Sequence, residues 1–245
     1  MMKTEFSQLS RRLSVRKYDG ALRLFQEELD GILRFTESTE RLFPEIKTRA
    51  VVVPRKETTA KFGVYSLLLY SEKKPGWLVN AGYLLEQTDL YMASRNIGAC
   101  WYGMGKPKGD APEGMEYVIM LVFGAARPEQ FRTDITQFQR RALKELFTGD
   151  YDPEAASAVR LAPSACNSQP WQYEWSGDRL TMRRTAPKSL FVPAGQLRYF
   201  NQIDQGIGIC FLETALVEKG YAFQRTLFPE GESSPVTAEY LLRRL

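Results

Sequence analysis

The segment Ala162–Trp171, APSACNSQPW, is the stretch on which the reading of the fold turns. Pro163 and Pro170 limit the backbone on either side of a short polar turn. Between them Ser164, Asn167 and Gln169 place a hydroxyl and two amides within a few residues. Such groups both donate and accept, which suits the edge of a flat heterocycle. The same residues would also serve as a helix cap running into a strand, with Trp171 in the core.

Outward from this turn the chain reads as mixed α and β. Asp152–Leu161 upstream is helical, and downstream Gln172–Trp175 and Arg179–Arg183 flank Ser-Gly-Asp as a hairpin. Ile203–Lys219 is a helix with one apolar stripe, followed by a strand at Tyr221–Phe228. In the first part Ala21–Thr39 has helical spacing, and Ala50–Val53 and Val64–Tyr70 are β-rich runs. Asn80–Asn96 is a strong helix that Gly98 ends, and Tyr117–Phe123 is a central strand. Phe138–Leu146 reads as a basic helix.

Two parts of the chain echo each other. ILRFTESTERLFPE from Ile32 resembles AVRLAPSACNSQPW from Ala158, an offset of 126 that places Arg34 over Arg160 and Pro44 over Pro170. The helix ending at Gly98 overlays the one ending at Gly220, an offset of 122 that pairs Leu90 with Leu212 and Ala93 with Ala215. RRLSVRKY at Arg11 has a faint counterpart in RRALKEL at Arg140. The expectation is an internal duplication, with one half at 1–135 and the other at 136–245.

Composition narrows the chemistry. The 245 residues include no histidine, which excludes Ser-His-Asp and Cys-His catalysis and His-ligated zinc. An enzyme of this composition would draw its difficult chemistry from a cofactor. Cys100, Cys166 and Cys210 are too far apart for a paired redox or metal motif and read as small buried apolar residues. A net charge of +4, spread among acids, argues against nucleic acid and fits local binding of a small anion. No run of about 18 to 20 apolar residues could cross a membrane, and the polar Met1–Arg12 has no signal-like core. A cytoplasmic location is the expectation.

Two further segments carry candidate chemistry. Arg11–Tyr18, RRLSVRKY, offers cationic and hydroxyl donors that match phosphate oxygens; a solvated basic arm would look the same. Gly98–Gly105, GACWYGMG, lets a backbone approach a ligand, with Trp101 or Tyr102 available to pack on a ring. It comes directly after a helix with no strand before it, and its spacing is not that of a dinucleotide fingerprint; a glycine helix stop followed by a core Trp would look the same.

Taken together, SRRLSVRKYDG, GACWYGMG and APSACNSQPW resemble the nitroreductase family. More narrowly, the chain resembles nitroreductases that carry two half-sized repeats in one polypeptide, from about Leu9 to Phe228. PSACNSQPW is the most specific element of the match. The resemblance implies an α+β fold with antiparallel-dominated central sheets surrounded by helices, in two pseudo-symmetric halves. It implies bound FMN, with Arg12, Ser14 and Arg16 holding the phosphate and ribityl chain. Pro163, Ser164, Ala165 and Asn167 would lie along the isoalloxazine and ribityl, with Gln169 nearby, and Trp101, Tyr102 and Gly103 would approach the ring.

By the same resemblance NAD(P)H is the transient hydride donor, and the acceptor is an electron-poor small molecule such as a nitroaromatic or quinone. The basic motif is intact only in the first half and PSACN only in the second, so the expectation is a single composite site per chain. The molecule would be a monomer of pseudo-dimeric architecture or a homodimer, with no metal, nucleic-acid or membrane partner. A ligand-binding protein of the same fold without reductase activity is the second reading.

Overall fold

The computed structural model describes residues 6–187, 192–229 and 235–245. Contacts divide the chain into two units: residues 1–77 with 84–135, and residues 78–83 with 136–245. The fold is α+β, and among the described residues the two sheets pair antiparallel except at one short parallel strand.

The first unit opens with a short helix α1 (Ser7–Arg11) and then α2 (Gln26–Ser38). Helix α2 starts later than its periodicity suggests. Asp19 folds the preceding chain into a turn by accepting from the Ala21 N–H at 2.9 Å, which withholds that stretch from the helix. Glu28 then caps α2 by accepting from the Phe25 N–H at 2.8 Å, and Leu29, Ile32 and Thr36 form its buried stripe. Strands β1 (Thr48–Pro54) and β2 (Tyr65–Ser71) pair from Thr48–Ser71 to Pro54–Tyr65. The long helix α3 (Trp77–Ser94), whose residues 78–83 count with the second unit, is followed by β3 (Ile97–Trp101) and β4 (Glu116–Ala125), and the sheet order is β1-β2-β4-β3. Strand β4 sits between neighbours and reads YVIMLVF because both of its faces are covered.

In the second unit α4 (Leu143–Leu146), β5 (Phe147–Gly149) and α5 (Pro153–Val159) precede the hairpin β6 (Trp171–Ser176) and β7 (Arg179–Arg184). Asp152 caps α5 by accepting from the Glu154 and Ala155 N–H groups. Helix α6 (Ala194–Glu218), β8 (Tyr221–Leu227) and β9 (Val236–Arg244) follow, in the order β5-β6-β7-β9-β8. Without β5, this is the hairpin–helix–two-strand order of the first unit.

The correspondence is sharpest at two glycines within the second unit. A Cβ on Gly82 would run into the Ile203 carbonyl oxygen, and one on Gly206 would run into the Val79 carbonyl oxygen. Both glycines (82 and 206) and both carbonyls (79 and 203) lie 124 residues apart. The left-handed residues that end the two long helices, Asn96 (φ 57°) and Gly220 (φ 75°), share that spacing. These features repeat at 124 residues, two more than the offset of 122 used to overlay the two long helices in the sequence.

Other expectations are corrected as well. Asn96, not Gly98, ends α3, because asparagine also tolerates the left-handed C-terminal position. Gly98–Trp101 consequently lies within β3, with Gly98 opposite Gly124. Phe138–Leu146 is helical only at Leu143–Leu146. There the Arg141 N–H is taken by the Gln169 side chain at 2.9 Å instead of a carbonyl one turn back. Cys100 and Cys210 are buried, whereas Cys166 is exposed. Among the described residues, no helix is long and apolar enough to cross a membrane.

Candidate functional site

The N-terminal arm is laid against β3 of the first unit. The Val15 N–H donates to the Ala99 carbonyl at 2.9 Å, and Ser14 pairs with Ala99 as an isolated parallel bridge. Gly98 makes this approach possible, since a Cβ there would come within 2.8 Å of Val15 Cβ. The glycine that looks like a helix stop in the sequence is thus the seat of the basic arm.

Arg12 does not point to solvent. It is 3% exposed, its Nε donates to Asp89 Oδ2 at 2.6 Å, and Glu86 Oε1 lies 3.6 Å away. Burial pulls the guanidinium pKa down, but the charges of Asp89 and Glu86 outweigh it and hold the pKa above its ordinary value. Arg12 Nη2 also reaches Ser14 Oγ at 3.4 Å, and the Arg12 carbonyl accepts from Arg132 Nη1 at 2.5 Å. Burial and the neighbouring Arg12 push Arg132 down to about 10. On the other side of Glu86, Trp101 Nε1 donates to Oε2 at 3.0 Å. One helix face therefore ties together the arm and the end of β3. Arg11 extends the tie by donating to the Ala93 carbonyl and Asn96, with its guanidinium 4.0 Å from the centre of the Phe131 ring.

Beyond Ser14 the arm turns outward. Arg16 is exposed, holds only a long contact of 3.4 Å to the Ser14 carbonyl, and lines an open cleft of about 630 Å³. Tyr102 lies near the same region: its hydroxyl accepts from the Lys61 N–H at 3.3 Å, and its ring meets Phe62 edge-on at 5.2 Å. Gly103 follows in the turn after β3 and is half-buried. The buried Cys100 thiol faces Ser14. Burial raises its pKa, although Arg16 and Arg12 pull the other way.

The Pro163–Gln169 turn belongs to the second unit and is held from within. Cys166 (φ 52°), Asn167 (φ 56°) and Gln169 (φ 47°) all adopt left-handed backbone conformations, a concentration that costs free energy and needs compensation. Ser164 Oγ accepts from the Gln169 N–H at 2.8 Å, and the Ala165 N–H donates to both oxygens of Asp204 at 3.1 Å. Asn167 gives its amide N–H to the Gln139 carbonyl at 2.9 Å and accepts from Arg140 Nη1 at 2.8 Å. Gln169 is 2% exposed and joins the Asn167 carbonyl to the Arg141 N–H. Pro163 is buried beneath the turn. Asp204 underlies it; burial raises that carboxyl well above the usual range, against the pull of the Ala165 N–H.

The structure thus brings Arg12, Ser14 and Trp101 to one face of α3, opens Arg16 to the cleft, and gathers Pro163, Ser164, Ala165, Asn167 and Gln169 over Asp204. The sequence reading missed Glu86, Asp89, Asp204 and Arg140. The signal for the first two is visible: two acids three residues apart, flanked by apolar residues in YLLEQTDLY. Asp204 has the same character in NQIDQGIG.

The chain matches the family described as "Putative TM nitroreductase" over residues 5–216. Among solved structures it is similar to a putative nitroreductase of Thermotoga maritima MSB8, with a TM-score of 0.64 and 20% identity over 98% of this chain and 94% of that one. A nitroreductase family protein of Clostridium difficile 630 is 15% identical, with a TM-score of 0.43 over 51% of this chain and 89% of that one. One from Clostridium novyi NT is 12% identical, with a TM-score of 0.40 over 50% and 86%. No curated protein matches the sequence.

Proposed function

The chain belongs to this nitroreductase family, and from that premise we propose that it is an FMN-dependent oxidoreductase. When bound, FMN supplies the hydride chemistry that links NAD(P)H to an electron-poor acceptor such as a nitroaromatic or quinone. The observation that carries the reading is the N-terminal arm, where one arginine is fixed in the interior and the next is presented to an open cationic cleft.

The residues of the arm fit an anionic phosphate in a particular division of labour. Arg16 and the Ser14 hydroxyl would hold the phosphate, since Arg16 is exposed and has no acidic partner among the described residues. Arg12 is a positioning residue: its charge is met by Asp89 and Glu86, and its backbone is gripped by Arg132. Trp101 shares Glu86 with it, so β3 and the arm are tied to the same carboxylate. In the second unit, Asn167 has its amide committed to Gln139 and Arg140. Its part would be to hold the Ser164–Ala165 backbone in shape; in the first unit, Tyr102 is the ring offered to the isoalloxazine. No protein acid or base is assigned, in keeping with a cofactor that carries the chemistry.

The test is an NAD(P)H oxidation assay on FMN-saturated protein with a nitroaromatic or quinone acceptor. Turnover that vanishes when FMN is omitted supports the reading. Protein that binds FMN yet shows no turnover with either nicotinamide would favour the second reading, a ligand-binding member of the fold.

A further inference from the structure

The cleft beside the arm holds more positive charge than one phosphate requires. Arg16 and Arg23 stand on the wall formed by the N-terminal segment, and Arg55 and Lys61 stand on the β1–β2 connection. All four are exposed, and none has an acidic partner among the described residues. The cleft's one acid, Asp19, is taken by Arg127. A phosphate monoester brings at most about two negative charges. Set against these four cations, the flavin phosphate therefore leaves about two positive charges of the cleft without a counter-charge.

Between these cations the surface is aromatic and apolar. Phe62 and Tyr65 line the cleft and are fixed from behind, Phe62 by the edge of Tyr102 and Tyr65 by Phe123 at 5.7 Å. The Arg55 guanidinium is steadied by the Ala60 carbonyl at 3.3 Å, which leaves its other N–H groups available. A volume of about 630 Å³ is within the range of small-molecule sites. A ring on the Phe62–Tyr65 side with a negative group toward Arg55 and Lys61 satisfies both features.

We propose that this cleft binds an aromatic molecule bearing an acidic group, and that such an acid, rather than an uncharged nitroarene, is the acceptor. The second part rests on the FMN reading; the first does not. The shared chemistry, an aromatic anion, could also be the flavin's own phosphate end, and the experiment separates the two.

The experiment titrates the full chain with para-nitrobenzoate and with nitrobenzene by calorimetry, with and without saturating FMN. Expected is saturable binding of para-nitrobenzoate that weakens with salt, survives FMN, and falls about tenfold in the double variant Arg55→Gln/Lys61→Gln. In turnover, the preference for para-nitrobenzoate over nitrobenzene should fall in parallel. Both substituted residues are exposed, and a thermal melt confirms that the variant is folded. Absence of saturable binding, or binding indifferent to the double variant, overturns the proposal. Displacement by FMN also overturns it, assigning the cleft to the flavin phosphate. If FMN fails to bind while para-nitrobenzoate still does, the flavin reading fails and the acid site stands.

Discussion

Each unit buries one arginine–carboxylate knot, and the two knots are put to different uses. In the first, Asp89 and Glu86 of α3 hold Arg12 of the N-terminal arm. In the second, Glu213 of α6 accepts from Arg225 at 2.7 and 2.8 Å, from Tyr83 at 2.7 Å and from Tyr240 at 2.9 Å. Asp89 and Glu213 are 124 residues apart, the same spacing as the two crossing glycines. The Glu213 knot ties α6 to β8, to β9 and to Tyr83 of α3. The Asp89 knot restrains a segment whose next arginine, Arg16, faces outward. The comparison teaches that one helix position can lock a sheet in one unit and aim a donor in the other.

The largest effect expected from breaking the comparison is at Glu213. Glu213→Ala should cost about 3 to 5 kcal/mol of stability, because it strands a largely buried guanidinium and two buried hydroxyls. Denaturant unfolding measures this. FMN affinity per folded molecule should be unaltered, and a parallel loss would mean that this knot also serves the site. Asp89→Ala should cost somewhat less, about 2 to 4 kcal/mol, because Glu86 remains beside Arg12. Unlike the Glu213 variant, its folded fraction should bind FMN more weakly.

Arg16→Ala isolates the outward half of the first knot. It should weaken FMN binding by about 1.5 to 3 kcal/mol, the worth of a charge-assisted contact, with unchanged thermal stability. The smallest effect is expected at Asp204. Burial raises its carboxyl pKa in the folded state, so the folded protein favours the protonated form. The associated stability is present below the ordinary carboxyl pKa and is lost as pH rises through the folded value. Asp204→Asn keeps an acceptor for the Ala165 N–H and should cost less than about 1 kcal/mol at acid pH. It should also flatten the decline toward neutral pH, as read from melts across that range.

What was legible in the sequence follows the same division. Strands β2 and β4 and helices α3 and α6 announce themselves because long apolar runs and sustained periodicity report burial directly. Strand β9 was missed because VTAEYLLRR alternates charge with apolar residues near the end of the chain, and β5 is only three residues long. The segments proposed for the site stand out in the sequence by motif, but the partners of their side chains do not. Whether Arg12 meets a phosphate or a carboxylate depends on Glu86 and Asp89, which only the folded chain brings to it. Likewise the left-handed turn at Cys166–Gln169 reads as merely polar until Asp204 and Arg140 are seen to hold it.

The most direct test is an equilibrium FMN titration, followed by flavin fluorescence, of the wild-type chain beside Arg16→Ala and Glu213→Ala. The account predicts saturable binding of a single FMN per chain, weakened by Arg16→Ala and retained by the folded fraction of Glu213→Ala. Wild-type protein that leaves the flavin signal unchanged, or an Arg16→Ala variant that binds as tightly as wild type, would contradict it.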